Sequence, residues 1–352
     1  MATTGRISVL GLMKFLSSVI IMHYHFYATG TNHHFGAASI LVEFFFMITG
    51  YFTYSHFRKI KKYHSTIEGK AKAGVSYTFG KIKVFYPFIV AAIILGGGVA
   101  LVFADSLLGM LDSLKAGLVE LFLLTPFFDY QRTALNGVTW FLGVMVIVMP
   151  LFICLIQTKA RTFLMMIFTF VVLLILSFRP SGTTFALGVE RCAMCFMLGA
   201  LVYELAQKIQ KRKMSKMQTV LLSVTEFFLI VGQFVALFFT NSASLNPEKM
   251  LNYVFIMVVF FLNLTLLFSG KTFFSRINNR FLDYLEKISM VIYLSHVPFV
   301  MIVNYTGLRG NLRVTLLFEV AVIVYSAILF AVISCIRKKI TAKKILPSKS
   351  RR

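Results

Sequence analysis

The segment GRISVLGLMKFLSSVIIMHYH, residues 5–25, is long and apolar enough to cross a membrane, yet it carries Lys14, His23 and His25. A transmembrane helix needs about 20 predominantly apolar residues. Lys14 and His25 are eleven positions apart, which is three helical turns plus about 20°, so both point the same way, about 16 Å apart along the axis. His23 points to the opposite side. Ionisable groups inside a bilayer cost a few kcal/mol each, so these residues indicate function.

The rest of the chain has the composition of a membrane protein. Of its 352 residues 58% are hydrophobic, and the mean hydropathy is +0.80, well above that of an average soluble domain. Apolar runs of about 20 residues recur along it, which predicts an all-α, polytopic integral membrane protein with about ten transmembrane helices. The predicted spans are 7–29, 37–55, 84–104, 137–157, 162–178, 185–206, 218–240, 251–269, 288–305 and 314–335.

The charge is strongly basic but unevenly distributed. The chain has 36 Lys and Arg against 13 Asp and Glu, a net charge of +23. The N-terminus, the even-numbered connections and the tail carry 28 of the basic residues, whereas the odd-numbered connections carry six. This asymmetry is the positive-inside pattern, so we expect both termini to be cytoplasmic. The basic loops then face anionic lipid or a phosphorylated cytoplasmic donor, and nucleic acid is not an expected partner.

The chain forms one integral-membrane domain, residues 1–352, with a core of about 7–335 and a basic cytoplasmic tail over 336–352. The longest polar stretch, 56–83, is too short to fold alone. The amphiphilic stretch 105–136 is typical of a short helix at the outer face. The cysteines carry no metal-site pattern, and we expect no metal.

Glu43 opens the apolar run of the second predicted helix, separated from His25 only by a short loop. A carboxylate beside an imidazole can hold one tautomer and raise its basicity, which is what a general base needs. The alternative interpretation is a structural pair between two helices.

These features resemble the membrane-bound acyltransferase-3 family, whose first helix typically carries Arg or Lys eleven residues before His. Four later stretches agree with the family pattern in the same order, and together they cover roughly residues 10–300. The stretches are EFFFMITGY at 43–51, NGVTWFL at 136–142, RCAMCFMLG at 191–199 and ISMVIYLSHVP at 288–298.

Three segments depart from the family pattern. Lys14 stands where Arg is commoner, which keeps the charge but loses the bidentate guanidinium. Thr49 replaces the usual Ser before a glycine. The inner loop usually carries Arg-x-x-Arg shortly before an aromatic-Pro pair, and this chain has Lys81 and then Val84 at those positions.

The resemblance implies transfer of an acyl group, usually acetyl from acetyl-coenzyme A, to a hydroxyl of a cell-surface polysaccharide or lipid-linked glycan. It implies a multi-pass protein of the bacterial inner membrane with no tightly bound cofactor, because acetyl-coenzyme A is a substrate. A positioned imidazole that removes the hydroxyl proton contributes about 10²–10⁴-fold. We assign this role to His25, with Glu43 as the orienting carboxylate.

Other residues then become donor or acceptor contacts. Lys81 and Lys83 are candidates for the donor phosphates, and Lys14 for the pantetheine arm or an oxyanion. Three residues are assigned to substrate binding on the acceptor side, namely Trp140, Tyr293 and His296. Anchoring at the membrane interface would explain Trp140 equally well. Arg191 is a further substrate-binding candidate, or else pairs with its neighbour Glu190.

The alternative function is a transporter or flippase for a lipid-linked glycan or acyl group. Basic inner loops and intramembrane charges suit both classes. A transporter does not need a histidine on the face of Lys14, and inverted repeats, which are common in transporters, are not visible here. A structural assembly factor would leave the intramembrane charges unexplained.

Overall fold

The computed structural model describes residues 7–27, 35–59, 66–103, 106–128, 134–158, 161–178, 184–240 and 250–345. Within these ranges the chain is a bundle of α-helices without strands. The helices are α1 (Ser8–Tyr27), α2 (Leu41–Lys59), α3 (Ile67–Phe103), α4 (Leu107–Leu121), α5 (Trp140–Ile156), α6 (Arg161–Phe178), α7 (Thr184–Lys211), α8 (Lys216–Phe239), α9 (Met250–Ser269), α10 (Arg280–Tyr305) and α11 (Leu312–Ile345).

Each of the ten predicted spans coincides with one of these helices, which confirms an all-α, polytopic membrane fold. In the described part of the chain, nine helices are long and apolar enough to cross a membrane. The predicted span 162–178 forms the apolar helix α6. We call the end of the bundle at which α1 begins and α2 ends the basic face, and the other end the opposite face.

Several helices continue beyond their apolar segments on the basic face. α3 begins at Ile67 instead of residue 84, α10 at Arg280 instead of 288, and α11 reaches Ile345. The polar stretch 56–83 is therefore largely helical, and our sequence-based boundaries there are wrong. Those boundaries followed hydrophobicity, whereas Lys, Ala and Glu are good helix formers that extend a helix into water.

The packing partners of the helices are mostly distant in sequence. α1 packs along α10, α2 along α7, and α3 against both α5 and α10. Glycine makes the α2–α7 crossing close: a Cβ on Gly50 would lie 2.6 Å from the Cα of Phe196. Small residues at such crossings let two backbones approach, which is how helices associate without a hydrophobic driving force in lipid.

The short helix predicted within 105–136 is α4. Its first turn is capped by Ser106, whose hydroxyl accepts the Gly109 amide at 3.1 Å. Its leucines are largely exposed, as in Leu107 and Leu108, whereas Glu120 near its end is buried. α4 therefore has an apolar outer surface and a buried carboxylate, which accepts the backbone amide of Asn136 with both oxygens, at 2.9 and 2.8 Å.

Prolines within α3 and α10 leave two backbone carbonyls without their helical amide. Pro87 has no N–H for the carbonyl of Lys83, and Pro298 has none for that of Leu294. Side chains from other helices or loops approach these positions. Arg337 Nη2 lies 3.5 Å from the Lys83 oxygen and 2.6 Å from that of Val84, and Asn136 Nδ2 donates to the Leu294 oxygen at 2.9 Å.

Candidate active site

Lys14 and His25 both contact α10, as their eleven-residue spacing predicts. Lys14 Nζ lies 2.8 Å from Glu286 Oε1, and the His25 ring centroid lies 5.0 Å from that of His296. His23 faces away, and its Nδ1 lies 2.6 Å from Glu319 Oε1 on α11. The α1–α10 contact thus carries an ion pair toward the basic face and two neighbouring imidazoles toward the opposite face.

A cavity of about 550 Å³ lies between six helices, α1, α2, α3, α5, α10 and α11. Lys81, Lys287 and Arg337 line its part toward the basic face. Deeper in, its walls are apolar and aromatic, with the Lys14–Glu286 pair at one side. A cationic entrance above an apolar channel suits an elongated molecule with anionic groups at one end and an uncharged arm.

Arg337 brings a guanidinium to the position where the family pattern has its second arginine. Its Nη2 donates to the carbonyl of Val84, and its guanidinium carbon lies 5.8 Å from the centre of the Phe88 ring. Lys81 stays at the first position of the motif and lines the cavity. Lys83 is exposed and lies outside the cavity lining, so the structure separates the two lysines that the sequence grouped together.

A layer of aromatic rings separates the cavity from the imidazoles. Phe45 and Phe141 line the cavity, and their ring centroids lie 6.2 and 5.7 Å from that of Tyr293. Tyr293 in turn lies 6.1 Å from His296. The lysine and the histidine of α1 are therefore on different sides of this layer, and a reactive group entering from the basic face must cross it to reach His25.

The expected pairing of Glu43 with His25 is wrong. Glu43 is fully buried, and its Oε1 accepts hydrogen bonds from Arg191 Nε at 2.6 Å and from the Tyr253 hydroxyl at 3.1 Å. A buried carboxylate is stabilised more by a fixed guanidinium than by a neutral imidazole. Together with Tyr253, the Glu43–Arg191 pair joins α2, α7 and α9.

Trp140 belongs to the same cluster. It begins α5, and the guanidinium carbon of Arg191 lies 5.5 Å from the centre of its ring. Phe46 meets the ring edge-on at 6.2 Å. One face of the indole is thus occupied by a cation, and the stacking of a sugar on Trp140 stays a prediction.

Several residues of this region could not be recognised from the sequence. Lys287 and Arg337 were counted only among the basic residues of a connection and the tail, and Glu286 was not singled out, because the helices that carry them extend beyond the apolar spans. Glu120 and Asn136 were missed because no spacing rule connects a short surface helix to the middle of α10. Their only signal was a carboxylate in an otherwise apolar stretch, LVELFLL at 118–124.

Glu120 lies outside the membrane-spanning helices and has an unusual acidity. Burial raises the pKa of its carboxyl to about 7, although the backbone amides of Asn136 and Leu135 act in the opposite direction. Near neutral pH this group is therefore divided between its protonated and ionised forms.

With this geometry established, comparison with known proteins identifies the family. Residues 10–336 match the family model described as "Acyltransferase domain", the acyltransferase-3 model. The chain belongs to the acyltransferase-3 family. Neither the curated proteins nor the solved structures gave a significant match.

Membership in the acyltransferase-3 family makes the cavity and the two imidazoles candidates for parts of one active site. A membrane acyltransferase needs an acyl donor, an acceptor and a bilayer around its helices. In this acyltransferase basic residues line one part of the cavity, and the two histidines lie beyond the aromatic layer.

Proposed function

We propose that this acyltransferase moves an acyl group, which we expect to be acetyl, from acyl-coenzyme A to a hydroxyl of a cell-surface polysaccharide or lipid-linked glycan. We place it in the bacterial inner membrane, with the basic face in the cytoplasm. The observation that carries the proposal is the cavity that is lined by Lys81, Lys287 and Arg337 toward the basic face and by apolar and aromatic side chains deeper in.

Each part of the cavity corresponds to a part of coenzyme A. The phosphates would lie among Lys81, Lys287 and Arg337, where charge-assisted hydrogen bonds are strongest. The uncharged pantetheine arm would lie along the apolar walls beside Lys14. To reach His25, the thioester would then have to cross the layer formed by Phe45, Phe141 and Tyr293.

His25 would act as the general base. A sugar hydroxyl is a weak nucleophile, and an imidazole that takes its proton during attack on the thioester lowers the barrier. The alternative function, a transporter or flippase for the same kind of glycan, would use the cavity for passage and would not require the imidazole. The two functions therefore differ in what they predict for His25.

The direct test is mass spectrometry of the acceptor after incubation of the purified protein in lipid with acetyl-coenzyme A and an isolated glycan. We expect a mass gain of about 42 Da per transferred acetyl group, as acyl transfer requires. His25→Ala should abolish the gain. His23→Gln, which alters the neighbouring imidazole on the other face of α1, should retain it within about threefold, since it lies outside the proposed site.

Loss of activity in both variants with normal accumulation would contradict the assignment of His25. Movement of the glycan across vesicle membranes, without any gain in its mass, would favour the transporter.

A further inference from the structure

The second imidazole of the site, His296, is held in a defined orientation by its own helix. Its Nδ1 lies 3.3 Å from the carbonyl oxygen of Ile292. A carbonyl oxygen can only accept, so Nδ1 carries the hydrogen, and in a neutral imidazole Nε2 then holds a lone pair. His296 is fully buried, and among the described residues its Nε2 has no hydrogen-bond partner.

The backbone around His296 is fixed by a chain of hydrogen bonds that starts in α4. Pro298 leaves the Leu294 carbonyl without an amide, and Asn136 Nδ2 donates to it at 2.9 Å. Both oxygens of Glu120 hold the Asn136 amide. A break in α10 is thereby braced from outside, two residues before His296.

The ring of His25 lies beside this lone pair. The ring centroids of His25 and His296 are 5.0 Å apart, and the planes are inclined by 36°. A hydrogen bond between the two imidazoles would require the His25 ring to rotate so that a ring N–H points at His296 Nε2. Hydrogen bonds of a catalytic centre are often loose without substrates and shorten in the complex.

We propose that His296 is the positioning residue of His25, the role that the sequence had suggested for Glu43. By accepting an N–H of His25, Nε2 of His296 fixes one tautomer and leaves the other nitrogen of His25 with the lone pair that takes a proton. The inference rests on the proposed function, because it assigns a partner to the general base of that reaction.

The proton balance of the step follows from this arrangement. The acceptor O–H bond breaks and its proton goes to the lone-pair nitrogen of His25, while the oxygen forms a bond to the thioester carbon. The C–S bond then breaks, and His25 returns the proton to the thiolate sulfur. His296 neither gains nor loses a proton, because two adjacent imidazolium ions in a buried site would repel each other.

The kinetic test compares three variants in the acetyl-transfer assay. His296→Ala should lower kcat about 100-fold with the KM for acetyl-coenzyme A unchanged, a loss within the range of general-base catalysis. His296→Gln should recover part of this loss, because an amide oxygen can accept the same N–H. Val303→Ala removes a buried side chain from the same helix and should keep kcat within about threefold.

Retention of full kcat in His296→Ala would overturn the proposal. The proposal would also be overturned if kcat fell equally in all three variants and their thermal stability fell as well. That result would indicate a purely structural role for His296.

A second measurement does not depend on acyl transfer. Nitrogen-15 NMR of histidine-labelled protein, with the His25 signal assigned by its loss in His25→Gln, reports which ring nitrogen carries the proton. We expect one tautomer in the native protein and a mixture in His296→Ala. Identical spectra would overturn the role of His296. The expected spectral change without any acetyl transfer by the native protein would contradict the proposed function alone.

Discussion

Three ionisable pairs join helices that are far apart in the sequence. Lys14 contacts Glu286, His23 contacts Glu319, and Glu43 contacts Arg191. The Glu43 carboxylate is fully buried, and removing its partner Arg191 should cost about 3–5 kcal/mol because the remaining charge stays in a poor solvent. The other two pairs are partly exposed, so breaking them should cost less. Most of these ionisable groups therefore serve at least partly to fix the bundle, and their presence in apolar segments does not by itself indicate catalysis.

The structure sharpens the expected roles of the two inner-loop lysines. Lys81→Gln should raise the KM for acetyl-coenzyme A about tenfold, equivalent to 1.4 kcal/mol, because it removes one charge from the cavity entrance. Lys83→Gln should change that KM by less than about twofold, since Lys83 lies outside the cavity lining and any contact it makes with a phosphate would be screened by solvent. Lys81→Arg should keep most of the activity because the charge survives.

The KM values would be measured by steady-state kinetics at fixed ionic strength, with the acceptor at a saturating concentration. An equal increase in KM for the Lys81 and Lys83 variants would mean that the loop acts through its overall charge. No effect in either would place the donor phosphates elsewhere.

The sequence could identify individual site residues but not their partners. Lys14, His25 and Glu43 are detectable because an ionisable residue in an apolar helix is rare. Which of them meet depends on helix pairing. We expected α1 and α2 to place His25 beside Glu43, as neighbours in sequence often do, but α1 packs on α10 and α2 on α7. No local pattern specifies that choice.

At the scale of elements, α4 and α10 are coupled through one carboxylate. Glu120 anchors the loop that supplies Asn136, and Asn136 caps the carbonyl that Pro298 leaves unpaired. The buried Glu120 carboxylate therefore helps to stabilise α10, because it holds the Asn136 backbone in place. A surface helix that is only 15 residues long has a direct structural effect on the middle of a membrane-spanning helix.

This coupling predicts a dependence of stability on pH. The pKa of Glu120 is raised from 4.5 to about 7 in the folded protein, so folding favours its protonated form. Its contribution to stability is complete below about pH 4.5 and is lost as the pH rises through about 7. The unfolding temperature of the native protein in detergent should therefore fall between pH 5 and pH 8.

Glu120→Gln should make this fall smaller, because the amide does not titrate. Asp112→Asn alters an exposed acid of the same helix and serves as the control, with the native pH dependence expected. An unchanged pH dependence in Glu120→Gln would rule out this carboxyl as the titrating group.

The existence and approximate centres of the long apolar helices could be predicted from the apolar runs, but their ends could not. Ten spans were predicted, and nine helices in the described residues are long and apolar enough to cross a membrane. α3, α10 and α11 all continue into basic segments, because the α-helical backbone satisfies its own hydrogen bonds in lipid and in water alike. Hydrophobicity marks only the part of a helix that lies in the bilayer. The cavity entrance is built from the extensions, which is why Lys287 and Arg337 were not recognised.

For the whole molecule, the distribution of basic residues predicts the orientation. With the exposed Cys335 replaced by Ser, Lys213→Cys on the basic face should react with a membrane-impermeant maleimide only after cells are permeabilised. Leu308→Cys, in the connection between α10 and α11, should react in intact cells. Labelling of Lys213→Cys from outside would reverse the orientation and would place the cavity entrance away from cytoplasmic acetyl-coenzyme A.

The length of α3 has a consequence for how the donor is supplied. At 1.5 Å per residue its 37 residues span about 55 Å, against about 30 Å for the hydrocarbon core of a bilayer. About 25 Å of the helix, including Lys81, would therefore lie outside the hydrocarbon core, and Arg337 belongs to a similar extension of α11. A polar donor would be captured directly from solution without first partitioning into lipid. Its apparent affinity should follow its aqueous concentration and remain the same in bilayers of different acyl-chain composition.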